Sequence, residues 1–205
     1  MKGRLMGKLE AFPQVIGEYR FECTRCGNCC TGDQRVWLNP GDLKRMAVHL
    51  GYDHTEELFR RKLVVLEQGE NGAWRPRILF KHYKKLRFCP FLENSLGEDG
   101  AVTGLCRLHP LHKPLICSLA PLGRRWDAET EKSEWIFVKP APDCPGVNSK
   151  KVQLLRETLE RHDREIEEEN LFFAKLQHLL GNKSKQPAFR ELYFFKTGLR
   201  EESPG

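Results

Sequence analysis

Apolar residues change their spacing several times along the chain, and each change predicts an element. Aromatic and β-branched residues in QRVWLN, residues 34–39, predict a short strand. Helical spacing takes over in GDLKRMAVHL, residues 41–50. Asn39 and Pro40 stand there as N-cap and first helical residue, Asp42 offers the acid of a capping box, and Gly51 is a stop. Asp53 and Glu56 repeat the start signal for TEELFRRKL, residues 55–63. Residues 64–80, VVLEQGENGAWRPRILF, read as two strand-like pieces around a Gly-Glu-Asn-Gly turn. A second glycine turn, LGEDGAVTG, connects Cys89 to Cys106. HPLHKPLICSL then predicts a proline-punctuated turn or short helix, and WIFVKP another strand.

From Ser149 to Leu180 the pattern is that of one long helix. Val152, Leu155, Leu159, His162, Ile166, Phe173, Leu176 and Leu180 recur at spacings near three and four, opposite the charged run REIEEE. Gly181 and Asn182 end it. His162, on the apolar stripe, is expected as a hydrogen-bonded core residue rather than a ligand. In the closing segment QPAFRELYFFK, Phe189, Leu192, Tyr193 and Phe195 are expected to dock back onto the long helix. The alternative is a protein-partner surface in this C-terminal region.

The expected fold class is therefore α+β: a small metal-stapled domain with short strands and a long C-terminal helix. Residues 1–148 form the cysteine-bearing domain, and residues 149–205 the helix and aromatic tail packed on it. The 205 residues are 40% hydrophobic and 30% charged, the balance of a soluble protein with a real core. No run approaches the ~18 apolar residues of a membrane helix. The N-terminal stretch has no uninterrupted apolar segment of the kind a secretory signal needs, so a cytoplasmic location is expected. The net charge of +6 is spread along the chain, with short clusters at Arg60 to Lys62 and Lys81 to Arg87. It reads as a solvated surface, and nucleic acid is not expected as a partner.

The eight cysteines change the picture. In a reducing compartment clustered thiols point to metal or redox chemistry more than to disulfides. Thiolate sulfur is charged and polarisable, which suits borderline and soft metals. Cys23, Cys26 and Cys29 repeat the CxxC spacing twice in CTRCGNC, with Gly27 relieving the backbone where the loop turns. Such a triple run delivers three sulfurs to one iron–sulfur cluster in bacterial ferredoxins. Zinc sites more often join two separate CxxC hairpins, so the spacing leans to iron–sulfur (4Fe-4S favoured) and leaves zinc open. The proline-linked cysteine that commonly follows arrives later, as Cys89-Pro90 and Cys144-Pro145.

Cys30 abuts Cys29, and in an extended backbone adjacent side chains point apart, so Cys30 is expected to face away from its neighbour towards a second site. Cys89, Cys106, Cys117 and Cys144 are each isolated in turn-rich sequence. Together the eight divide into two four-ligand sites, or into one site plus redox or structural thiols. His109 and His112, within the Cys106 to Cys117 stretch, are left outside the ligand set. No P-loop, dinucleotide-binding glycine motif, nucleophile elbow or H-E-x-x-H occurs, and the CxxC dithiol lacks a thioredoxin-like context.

FECTRCGNCC, RFCPFLE, GLCRLHPLHKPLICSLAP and DCPGV, in that order, resemble the CxxCxxCC (YkgJ-type) cysteine-cluster family of zinc- or iron-chelating proteins. The resemblance covers roughly residues 20–150. Where that family commonly has a tyrosine and an Arg-Pro pair, this chain has His109 and Lys113-Pro114; lysine keeps the charge but loses the planar fork. What the resemblance implies is metal chelation. Flagellin lysine N-methylases carry a related cysteine segment, which opens a protein-modifying enzyme as an alternative. A partner-binding module with a purely structural metal is another.

Overall fold

The computed structural model describes residues 12–32, 34–69, 72–98, 100, 102–127, 132–180 and 188–199. In chain order the elements are β1 (Glu18–Arg20), α1 (Pro40–His49), α2 (Glu56–Arg60), β2 (Val64–Gln68) and β3 (Trp74–Ile78). Next come β4 (Lys81–Tyr83), β5 (Leu86–Phe88), β6 (Leu92–Leu96), β7 (Val102–Cys106) and α3 (Leu115–Ser118). The remainder is β8 (Leu122–Asp127), β9 (Lys132–Phe137), β10 (Val152–Leu154), α4 (Leu155–Glu160), α5 (Asp163–Leu180) and α6 (Ala188–Tyr193). The fold is α+β. Four consecutive strand pairs are antiparallel hairpins, and β1 pairs antiparallel with the distant β10.

Helix α1 starts where the sequence predicts. The Asn39 side chain accepts from the Asp42 N–H at 2.8 Å, and the Asp42 carboxylate accepts from the Asn39 N–H at 3.0 Å. These bonds satisfy donors that a bare helix end leaves orphaned. Gly51, at φ 72°, supplies the left-handed residue after it. Leu43, Met46 and Ala47 are fully buried in an apolar cluster with Leu38, Phe91 and Tyr193, to which α5 adds Phe172, Leu176 and Leu179. Each such large side chain contributes about 1.5–3 kcal/mol by leaving water. A second cluster gathers Tyr19 and Phe21 near β1, Leu115 and Leu119 around α3, Leu122 of β8, and Cys144. Of the expected tail residues, Leu192 and Tyr193 dock in the first cluster, with Phe194 rather than Phe195 packed against it; the Phe189 side chain lies outside the described residues.

Three expectations are corrected. QRVWLN is not a strand: its only bridge is Trp37 opposite Arg77, with Leu38 N–H donating to the Pro76 carbonyl at 2.8 Å. Pro76 has no N–H to return the bond, so the ladder stops. The second helix is shorter than residues 55–63: it runs from Glu56 to Arg60, with Thr55 rather than Asp53 at the N-cap and no side-chain cap bond from the Thr55 hydroxyl. That hydroxyl instead donates to the Tyr193 carbonyl at 2.7 Å and accepts from the Phe195 N–H at 3.0 Å.

The long helix is also broken. Val152–Leu154 form β10, α4 ends at Glu160, and a turn at Arg161 and His162 precedes α5. Asp163 restarts the helix by accepting from the Arg164 N–H at 2.6 Å, an acid at the positive end of the helix dipole. His162 is half-buried at that turn. The buried face of α5 runs through Phe172, Leu176 and Leu179, with Phe173 half-buried; the Leu180 side chain, Gly181 and Asn182 lie outside the described residues. No helix among the described residues is long and apolar enough to cross a membrane.

Candidate metal centre

The cysteine loop has little regular structure of its own and is pinned by backbone bonds to distant turns. Phe21 N–H donates to the Lys151 carbonyl at 3.1 Å, and Glu22 N–H to the Gly146 carbonyl at 3.2 Å, continuing the β1–β10 pairing. Arg25 at φ 56° and Gly27 at φ 74° then reverse the chain. Gly104 of β7 donates its N–H to the Arg25 carbonyl at 2.7 Å. A Cβ at Gly104 would stand 2.6 Å from the Gly27 Cα, so this close approach requires glycine.

A single 3-10 turn, Asn28–Cys30, follows, closed by Cys30 N–H to the Gly27 carbonyl at 2.9 Å. Here the structure corrects the sequence reading. Cys29 and Cys30 do not point apart: their Sγ atoms are 3.9 Å from each other. The opposition of neighbouring side chains belongs to extended chain, and a tight helical turn removes it.

Other thiols collect around this turn. Cys89 donates its N–H to the Cys30 carbonyl at 2.8 Å, and the Leu92 N–H bonds the Cys89 carbonyl at 3.1 Å. Leu92 lies opposite Cys106 in the β6–β7 hairpin, which brings Cys106 to the same corner. Cys117 is carried on α3. Cys144 precedes a second 3-10 turn, Pro145–Asn148, and its neighbour Asp143 accepts from Asn28 Nδ2 at 3.3 Å. Cys23 is exposed one residue beyond the Glu22–Gly146 bond, and Cys26 is half-buried. All eight cysteines are free thiols.

The thiols raise one another's affinity for protons. Cys29 is pushed up by its hydrogen bond with Cys30, then by burial. In Cys30 the bond with Cys29 acts downward, but the bond with Cys89 and burial outweigh it, and the thiol is pushed up to about 12. Burial is the main cause for Cys106, Cys117 and Cys144. The Lys113 ammonium acts against these shifts at Cys29, Cys106 and Cys117. Without a cation these five sulfurs are neutral at physiological pH, and a metal binding them must displace protons.

A tetrahedral thiolate site with Zn–S bonds of about 2.3 Å has sulfurs about 3.8 Å apart, so the Cys29–Cys30 pair meets one edge requirement of such chemistry. The donor set suits zinc or iron. Among the described residues, however, no group of three or more Cys, His, Asp or Glu side chains is arranged to hold an ion as it stands.

Sequence reasoning missed two residues. Asp42 is read there only as a cap, yet its Oδ1 also accepts from the Leu115 N–H at 2.9 Å and from Arg45 at 2.7 Å, tying α1 to the turn that carries Cys117. Burial raises its carboxyl to about 6, against Arg45 and the two N–H donors. Lys113, noted only as a substitute for arginine, is the cation whose field reaches three of the thiols. Its place beside "PLIC" was the available signal. His112 packs its ring on His49 at 4.6 Å, and the His109 pKa is lowered by burial, Lys113 and Arg25.

Fold and donors together define a cysteine-rich α+β domain whose thiols come from separated turns. The chain belongs to the CxxCxxCC family, whose model, described as "Putative zinc- or iron-chelating domain", matches residues 22–145. That span covers all eight cysteines and more than half of the chain. No curated protein and no solved structure matches the chain.

Proposed function

We propose that this protein holds a metal centre through its cysteines, in a reducing cytoplasmic setting, and that the centre built on Cys23, Cys26 and Cys29 is an iron–sulfur cluster of the 4Fe-4S type. The observation that carries the reading is the gathering of thiols from four separated segments around the Cys29–Cys30 turn, within the span that the family match covers. Residues 1–148 supply the ligands, and residues 149–205 brace them. Zinc is the second reading, favoured by the spread of Cys89, Cys106, Cys117 and Cys144 over separate segments, an all-sulfur donor set such as a closed structural site uses.

When bound, either group offers positive charge that stabilises thiolates, and a cluster adds one-electron chemistry. The chain's own part is to orient the sulfurs and to shield Cys89 and Cys144 from water. Purification of the full chain without oxygen, followed by iron, zinc and acid-labile sulfide analysis and visible absorption, tests the reading. Iron with equimolar sulfide and broad visible absorption is expected for a cysteine-ligated cluster. A colourless protein that holds neither metal and takes up neither on reconstitution would sink it.

A further inference from the structure

We propose that the tip of the β4–β5 hairpin docks on an anionic lipid surface, with Lys81, Lys84 and Lys85 meeting the headgroups and Tyr83 and Leu86 entering the boundary beneath them. No thiol takes part, and the docking is independent of the metal reading.

Positive charge accumulates on this part of the chain. Residues 71–92 contain no Asp or Glu and carry Arg75, Arg77, Lys81, Lys84, Lys85 and Arg87. Folding sorts these cations. Arg77 pairs with Glu67, and Arg75 lies over the Trp37 and Phe173 rings. Lys81, Lys84 and Lys85 make no ion pair among the described residues, and every residue from Lys81 to Leu86 is exposed.

The hairpin adds an apolar point to that charge. Tyr83 pairs with Leu86 around the two-residue turn Lys84–Lys85, so both side chains stand on one face at its end. They are 66% and 57% exposed. Such turns favour glycine or asparagine, yet Lys84 holds φ 53°. A lysine kept in left-handed backbone sacrifices local stability for charge at the tip.

Lysines alone would blunt a strand edge against aggregation, but the exposed Tyr83–Leu86 pair works against that purpose. Nucleic acid would engage the lysines and the tyrosine ring but has no apolar layer for the leucine. A lipid surface takes all three: headgroups attract lysine, tyrosine suits the interface, and leucine enters the acyl boundary. A stable protein interface needs about 800 Å² per partner, more than a hairpin tip supplies. The β6–β7 tip is the contrast. Its Leu96 and Val102 are exposed too, but that hairpin carries Glu93 and Glu98 and no lysine or arginine. Because Gly32 N–H donates to the Arg87 carbonyl at 2.9 Å and Thr31 bridges Phe88, docking would bring the cysteine loop towards the membrane.

The full chain is sedimented with vesicles of phosphatidylcholine alone and with vesicles containing about 30% phosphatidylserine. Capture by the second only, weakening as salt rises, is expected. Lys84→Gly with Lys85→Ser removes two charges and suits the turn, so the hairpin persists. Affinity should fall about twenty-five-fold, near fivefold per lysine. Leu86→Ser should weaken binding without changing its salt dependence, and Leu96→Ser should leave it unchanged. Lys150→Gln with Lys196→Gln loses the same charge elsewhere and should keep most of the affinity. Equal capture by both vesicle types, capture by neither, or an equal loss in that control would overturn the proposal. So would capture by a single-stranded oligonucleotide without capture by vesicles, which would assign the tip to nucleic acid.

Discussion

Helix α1 and the cysteine loop are separated by only a few residues and are held by opposite means. The helix closes its own N-terminus with Asn39 and Asp42, buries Leu43, Met46 and Ala47 completely, and would be recognised in almost any context. The loop buries little, uses left-handed backbone at Arg25 and Gly27, and borrows its order from Gly104, Cys89 and Gly146 far along the chain. One is stabilised by hydrophobic burial and local hydrogen bonds, the other by tertiary bonds and by whatever its thiols bind. Stability is thus unevenly distributed, and the loop belongs to the end that a ligand can order.

Removing metal should expose the contrast most. At free metal a thousandfold above Kd, binding contributes about 4 kcal/mol. Chelation should therefore lower Tm by about 8–16 °C. Hydrogen exchange should accelerate at residues 22–32 and at the turns of Cys89, Cys106 and Cys144, while α1 amides hold. Equal loss in both regions would erase the distinction. Leu43→Ala attacks the other side: a fully buried leucine without room to collapse should cost about 3 kcal/mol, read as a urea midpoint shift of similar size with and without metal.

Asp42 ties α1 to the turn that carries Cys117 and makes that link sensitive to pH. Its native carboxyl, raised from 3.8 to about 6, keeps a proton over a range where the unfolded chain has lost it. Its contribution is therefore fully present below about pH 4 and declines as pH rises through about 6, by about 3 kcal/mol in all. Urea midpoints taken at steps across that window should fall accordingly, and Asp42→Asn should flatten the fall. A midpoint that rises there in the wild type but not in Asp42→Asn would reverse the sign argued for this group. Smaller still, Gly104→Ala should cost about 1–2 kcal/mol by pushing Gly27 away, and should weaken metal retention while leaving α1 exchange unchanged. Unaltered metal content would show that the Gly27–Gly104 contact does not serve the loop.

The parts of the fold legible in sequence are those whose physics is local. The capping box at Asn39 and Asp42 and the strand-like pieces 64–68 and 74–78 appear where the chain's own pattern puts them. The misreadings share a cause. QRVWLN has strand chemistry, but the pairing stops after one bridge, because Pro76 opposite Leu38 has no N–H to continue it. Val152 has helical spacing, but β1 needs a partner and takes it. In each case a distant residue overrode the local preference.

The sequence by itself determined that eight thiols exist, that three stand at CxxCxxC spacing, and that an apolar-faced helix lies near the C-terminus, because composition and spacing are properties of the chain alone. Only the tertiary structure decided that Cys29 and Cys30 share a turn with their sulfurs 3.9 Å apart, and that Cys89 rather than Cys144 bonds to Cys30. It also decided that Asp42 reaches across to the turn of Cys117. Side-chain direction depends on backbone conformation, and the loop's conformation is set by hydrogen bonds to residues some 60 to 125 positions away (roughly, along the chain), which no local pattern encodes.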